Sequence, residues 1–184
     1  MSRCIYILVT GIVIFTVSCG EQTKVENATE KDTVQSATSV TADTINAPSL
    51  VTEQTPGTLR LTAQNGRPLG PEIKYMPEWR AFGWFTAKDS VEWDVDVPVT
   101  AEYNVQMEWS VSDEDAGKEF ILRSNNDQLT GKIDKSGSWE TYKTKDVGTI
   151  NLEQGRQKIV FKSNTQFNEG AILDLRELRL ERKR

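Results

Sequence analysis

Four carboxylates, Asp94, Asp96, Asp113 and Glu140, are the residues of this chain suited to general acid–base work, the pair that cleaves a glycosidic bond being the relevant chemistry. Their order along the chain fixes no separation and outlines no pocket, so they make no complete catalytic motif. The chain contains no histidine. That excludes Ser-His-Asp and Cys-His nucleophilic catalysis, His-based zinc sites and a histidine pH switch. Asp113-Glu114-Asp115 is a dense acidic run without EF-hand spacing, and it reads as a solvated turn. The two cysteines, Cys4 and Cys19, both lie near the N-terminus, so no disulfide framework braces the body of the protein. Lys and Arg number 22 against 27 Asp and Glu, a net charge of −5. A nucleic-acid partner is not expected, because phosphate binding needs a basic stripe. The basic run Glu181-Arg182-Lys183-Arg184 is a short tail that reads as a solvated strand end.

The elements that must position such residues come in three pieces. Met1-Ser2-Arg3 supplies a positive charge, Cys4 to Val17 is almost wholly apolar, and Ser18-Cys19-Gly20 follows. This is the pattern of a secretory signal peptide, over residues 1–18. The apolar run is shorter than the roughly 20 residues a membrane-spanning helix needs. Thr16-Val17-Ser18-Cys19 resembles a bacterial lipoprotein box, with Thr16 where Leu is usual. The resemblance implies cleavage before Cys19, acylation of Cys19 and a cell-envelope location held by lipid. Gly20 stands where an Asp would signal inner-membrane retention, which points to the outer membrane.

Residues 19–57 are a different material. They are rich in Thr, Glu, Val, Ser and Ala, and carry no aromatic residue. Such a segment buries too little apolar surface to offset its ordering entropy, so a disordered linker is expected. As a coil it would reach on the order of 35 Å.

Residues 58–184 are long enough for one domain, and their pattern is that of strands. Val91, Trp93, Val95 and Val97 share one parity, with Glu92, Asp94 and Asp96 on the other. Tyr103, Val105, Met107, Trp109 and Val111 repeat it. A period of two with one apolar face predicts half-buried antiparallel strands, here a hairpin across Pro98, with Trp93 and Trp109 in the core. Asn125-Asn126-Asp127 and Glu153-Gln154-Gly155 are turns. About nine antiparallel strands are expected, with no helix beyond one turn, which defines an all-β sandwich or barrel. Leu173 and Leu175 have one parity, Leu178 and Leu180 the other. This predicts a bulge near Arg176-Glu177, or a strand covered on both faces.

Several segments in order resemble a known family. Asp89 to Val111 is similar to the "D-x-V-x-W/Y … Pro … x-Y-x-V" segment of galactose-binding-like modules, notably carbohydrate-binding modules of families 6 and 35. Leu61 to Gly70 resembles their "A-E-x-A…G" opening, and Gly137-Ser-Trp-Glu-Thr-Tyr142 their "G-G-W-x-x-W/Y" segment. Val147 to Arg156 resembles the "L-x-x-G-x-H" turn, with Gln157 in the His place, and Gly170 to Arg176 the closing strand. Modules of this kind are appended to sulfatases and fucosidases. The resemblance implies a jelly-roll β-sandwich that binds polysaccharide or another glycan, beside a carbohydrate-active enzyme as partner.

Sugar recognition needs flat aromatic faces and a few convergent polar groups. Carried over from the family, Trp84 is the first aromatic of the clamp and Tyr142 the second. Trp139 packs under the loop or touches ligand, and Asn164, Asn168 or Glu169 supplies the polar group, Asn168 foremost. Asp174 stands near the family's hydroxyl-reading Asn. Trp79 lies in a loop expected to be exposed and is a further aromatic candidate. The family also implies a structural Ca²⁺, with Asp174 and Gln64 as its residues. Gln64 replaces the family's Glu, which removes one carboxylate from a site needing six to eight oxygens. The expected function is a non-catalytic, membrane-anchored carbohydrate-binding lipoprotein. The alternative is a protein-interaction or scaffold module that docks an envelope enzyme or partner.

Overall fold

The computed structural model describes residues 48–184. The signal peptide, Cys19 and most of the expected linker lie outside the described residues. Eleven strands follow one another: β1 (Thr58–Thr62), β2 (Arg67–Leu69), β3 (Lys74–Met76), β4 (Ala81–Gly83), β5 (Ser90–Val97), β6 (Ala101–Ser110), β7 (Glu119–Arg123), β8 (Gln128–Lys132), β9 (Lys143–Leu152), β10 (Gly155–Ser163) and β11 (Asp174–Arg182). No helix occurs among the described residues.

The strands form two antiparallel sheets. One runs β3-β4-β11-β6-β9, with β1 also paired to β11. The other runs β2-β5-β10-β7-β8. Alternation dictates the layer between them. Val91, Trp93, Val95 and Val97 from β5 are buried, and so are Tyr103, Val105, Met107 and Trp109 from β6. Each core indole keeps its N–H satisfied: Trp93 donates to the Thr62 carbonyl at 2.9 Å and Trp109 to the Asp134 carbonyl at 3.0 Å. A buried Trp needs such a partner, since an unmade hydrogen bond costs more than the made one contributes.

Two expectations are corrected here. β5 and β6 are not a hairpin. They belong to different sheets, and the link through Pro98 carries the chain across the sandwich. Both strands bury one apolar face, and facing sheets satisfy that pattern as well as paired strands do. The linker also ends earlier than residue 57. Val51 is buried, its N–H donates to the Asp94 carbonyl, and its carbonyl accepts from the Asp96 N–H, both at 2.9 Å. β2 covers β5 only from Ser90 to Glu92, and Val51 takes over the same strand at Val95. A short segment thereby closes an otherwise open edge.

The parity switch in the last strand is resolved by a bulge. Pairing of β11 with β6 shifts between Leu175 and Glu177. All four leucines, 173, 175, 178 and 180, are consequently buried. β2 escaped the sequence pattern because it is three residues long and contains Pro68, which an edge strand tolerates.

Candidate functional site

The loops at one end of the sandwich enclose a cleft of about 780 Å³. Trp84, Trp139 and Phe167 supply its aromatic surface, Asn168 and Asp174 stand among them, and Glu72, Lys88 and Asp115 add charge. Four predicted residues, Trp84, Trp139, Asn168 and Asp174, therefore meet in one place.

Trp84 is put there by its neighbours. Phe82 and Phe85 are both fully buried, three residues apart at the end of β4. A strand cannot bury both while keeping its alternation, and the chain turns at residue 84. Trp84 takes φ +53° and its side chain is 56% exposed. A positive φ is a genuine outlier for a bulky residue and costs on the order of 1–3 kcal/mol. Lys74 Nζ lies 5.5 Å from the Trp84 ring centroid, a cation–π contact.

Asp174 opens β11 at the base of the cleft. Gly83 of β4 makes room for it, because a Cβ at residue 83 would come within 2.8 Å of Asp174 Oδ1 and 2.6 Å of Met76 Cε. Burial, with the nearby Glu140 carboxylate adding to it, pushes Asp174 up to about 7. The folded protein then holds this proton more tightly than the unfolded chain, whose Asp titrates near 3.8. The stability it contributes is complete below 3.8 and is lost as pH rises to about 7. Asp174→Asn is expected to be the more stable protein above pH 7, by ~1–2 kcal/mol after allowing for solvent screening of a half-buried group. The difference should close toward pH 4 in a series of denaturant melts. A pH-independent difference would refute this reading of Asp174.

Two residues that the sequence reading passed over hold the walls. Asp89 is almost wholly buried and accepts hydrogen bonds from the Thr86 N–H at 2.8 Å, the Thr86 hydroxyl at 2.7 Å and the Glu72 N–H at 3.2 Å. It ties the segment carrying Pro71 and Glu72 to the one carrying Trp84. Lys118 donates to Asp115 at 2.6 Å and to the Ala171 carbonyl at 2.7 Å, with its ammonium 4.7 Å from the Phe167 ring centroid. Gly170, at φ +78°, lies so close to Asp115 that a Cβ would collide with its carboxylate. In the sequence Asp89 stands out as the opening residue of the D-x-V-x-W/Y segment and by its place three residues after Thr86, a local turn pattern.

Tyr142 is placed elsewhere. It does not line the cleft. The Arg176 guanidinium lies 3.4 Å from its ring centroid, and Trp79 stacks on it at 6.3 Å with 25° between planes. Arg176 also donates to the Trp79 carbonyl at 3.0 Å and to Glu108 at 2.7 Å. The β11 bulge thus aims Arg176 into a clamp that occupies Tyr142. Asn164 turns to Glu119 at 3.2 Å and also lies outside the cleft.

Gln64 is exposed in the turn after β1 and does not line the cleft. Among the described residues no group of three or more His, Cys, Asp or Glu side chains is arranged to hold a metal. Of the carboxylates weighed for glycoside hydrolysis, Asp94, Asp96, Asp113 and Glu140, none lines the cleft. Asp94 is bound to Arg67 at 3.0 Å and lies near Lys158, and Asp113 pairs with Lys135 at 3.4 Å. Neither they nor Asp96 line the cleft.

The two-sheet sandwich is similar to that of carbohydrate-binding modules of solved structure. A family 35 carbohydrate-binding module from Clostridium thermocellum superposes with a TM-score of 0.56 at 14% identity, over 67% of this chain and 96% of that one. The C-terminal family 6 module of the laminarinase LamC from Zobellia galactanivorans gives 0.54 at 14% identity, over 68% and 99%. The exo-β-1,3-galactanase of Phanerochaete chrysosporium, solved with β-1,3-galactotriose, gives 0.55 at 17% identity, over 67% of this chain and 29% of the enzyme. The chain thus has the fold of family 35 and family 6 carbohydrate-binding modules. No family profile matches it, and no curated protein does.

Proposed function

We propose that this protein is a non-catalytic carbohydrate-binding lipoprotein of the cell envelope, held by acylated Cys19, most simply in the outer membrane. The observation that carries the reading is Trp84, a large apolar side chain kept exposed at the mouth of an aromatic cleft by a strained backbone. Strain of this kind persists only where the surroundings enforce it, and it gathers at ligand sites. The ring offers a flat face to the C–H side of a sugar, while Asn168 and Asp174 meet hydroxyls. The partner-docking alternative calls for a broad apolar patch. Among the described residues the exposed large apolar side chains are Leu50, Leu69, Trp79, Trp84 and Val99, and of these Trp84 alone lines the cleft.

A glycan array probed with the protein lacking residues 1–18, with Ca²⁺ and with a chelator, tests the binding. Retention on at least one glycan is expected in both conditions. A folded domain that retains none would end this reading and favour the docking alternative. Cys19→Ser in the full chain is expected to release the protein from the membrane fraction.

A further inference from the structure

Among the described residues two aromatic side chains stand exposed, Trp79 and Trp84. They bracket one short strand: Trp79 lies two residues before β4, and Trp84 directly after it. Strain sits at the same two places. The non-glycine residues with positive φ among the described residues are Arg80, at +50°, and Trp84, at +53°. Backbone strain of this kind gathers at ligand sites, and both ends of β4 carry it beside an open indole. Trp79 belongs neither to the hydrophobic core nor to the cleft lining.

Three separate links nevertheless join Trp79 to the cleft. Its N–H donates to the Met76 carbonyl at 3.2 Å, its carbonyl accepts from Arg176 Nε at 3.0 Å, and its ring stacks on Tyr142. Met76 itself lines the cleft. Arg176 comes two residues after Asp174 along β11, and Tyr142 three after Trp139, and Asp174 and Trp139 line the cleft too. The clamp of Tyr142 and Arg176 fixes the indole before any ligand arrives, so binding there immobilises no loose side chain. The ring rests on Tyr142, yet 37% of the residue stays open to solvent. Exposed Glu78 and Arg80 flank it in sequence and give hydroxyls polar partners. Because β4 is extended, Trp79 and Trp84 stand on the order of 10–17 Å apart at ~3.4 Å per residue, more than one sugar ring covers. We infer that Trp79 is a second stacking platform continuous with the cleft, so that the protein grips an extended oligosaccharide, with one unit on Trp84 and a later unit on Trp79. This rests on the carbohydrate-binding reading of the cleft and specifies its ligand as a chain several units long, not a lone chain end.

Titration calorimetry on the full chain in a non-glycosidic detergent tests this. The probes are β-linked gluco-, xylo- and galacto-oligosaccharides of two and six units, with the same two lengths of any other class the array retains. Within a class that binds, the six-unit chain is expected to bind at least about tenfold tighter than the two-unit chain, which is ~1.4 kcal/mol. Trp79→Ala should bring the six-unit chain down to the two-unit affinity and leave the two-unit affinity unchanged. Trp79→Phe, which keeps a flat ring on Tyr142, should retain most of the length gain. The wild type adds a readout that no folding defect can disturb. With ¹⁵N-labelled indoles, the Trp84 N–H resonance should move with both lengths and the Trp79 resonance with the six-unit chain alone. Those of Trp93 and Trp109, bound to backbone carbonyls, should move with neither. Equal affinity for the two lengths, or a length gain that survives Trp79→Ala, would overturn the inference and leave the glycan reading of the cleft standing. Loss of both lengths in Trp79→Ala, with the wild-type Trp79 resonance unmoved, would mean that Trp79 props the cleft and would also overturn it. No Trp84-dependent binding of any glycan, here or on the array, would remove the reading beneath it.

Discussion

Trp84→Gly is expected to abolish retention on glycan while the protein melts no lower than the wild type. The two effects separate because the residue contributes to them in opposite senses. Its ring is 56% exposed, so removing it surrenders little core burial. Its backbone sits at φ +53°, a conformation glycine adopts freely and tryptophan does not. Relief of that strain is worth roughly 1 kcal/mol, enough to offset the lost burial and the extra entropy of an unfolded glycine. Binding loses its main aromatic face, a change of about 2 kcal/mol or more by analogy with buried aromatic anchors, or some thirtyfold in affinity. Trp84→Ala should lose binding equally but without the gain from glycine. If Trp84→Gly instead unfolds the domain, and binding merely follows the folded fraction, then Trp84 covers the end of the sandwich and is not a ligand surface.

The largest loss of stability is expected from Asp89→Ala, roughly 3 kcal/mol. The side chain is 2% exposed and accepts three hydrogen bonds. Its removal leaves the Thr86 and Glu72 N–H groups without their acceptor, and an orphaned buried donor costs more than a made hydrogen bond contributes. Asp89→Asn should cost less, because one oxygen remains, although its amide turns a donor toward other donors. The urea midpoint should fall with an unchanged m-value. Glycan affinity should fall further than the folded fraction accounts for, since the Trp84 and Glu72 segments lose their tie. A loss of under about 1 kcal/mol, the range of a surface substitution, would show that Asp89 is dispensable to that tie.

Much of this architecture was legible because burial writes itself into alternation. β5 and β6 read directly from the sequence, and the parity change across Leu175 and Leu178 located a bulge that is there. Alternation reports which face of a strand is inward, not which strand lies beside it. The alternation of β5 and β6 therefore fits a hairpin and two strands of different sheets equally well, and the structure has the second. The strap at Val51 was hidden by its brevity: two hydrogen bonds and one buried side chain leave no period. At the cleft, Trp84, Trp139, Asn168 and Asp174 could be placed by resemblance. Tyr142 could not, because its surroundings depend on the direction in which a bulge aims Arg176. Asp89 and Lys118 each pair a local contact, to Thr86 and to Asp115, with one to a distant segment, at Glu72 and Ala171, and no local pattern encodes the distant one.

The strap has a mechanical consequence. If the chain is tethered through residues N-terminal to the sandwich, any pull along the tether reaches Ser49, whose N–H donates to the Asn65 carbonyl at 3.3 Å, and then Val51. At Val51 it meets two hydrogen bonds to β5, whereas the next attachment is Gly57, bound to Arg182 at 2.8 Å and continued by the β1–β11 ladder from Thr58 to Thr62. The strap should therefore yield before the fold does. Its release frees residues 51–56 up to the Gly57–Arg182 bond and lengthens the tether by roughly 20 Å at ~3.4 Å per residue. The domain then carries a weak link in series with a strong one, and under load it gives slack before it gives way.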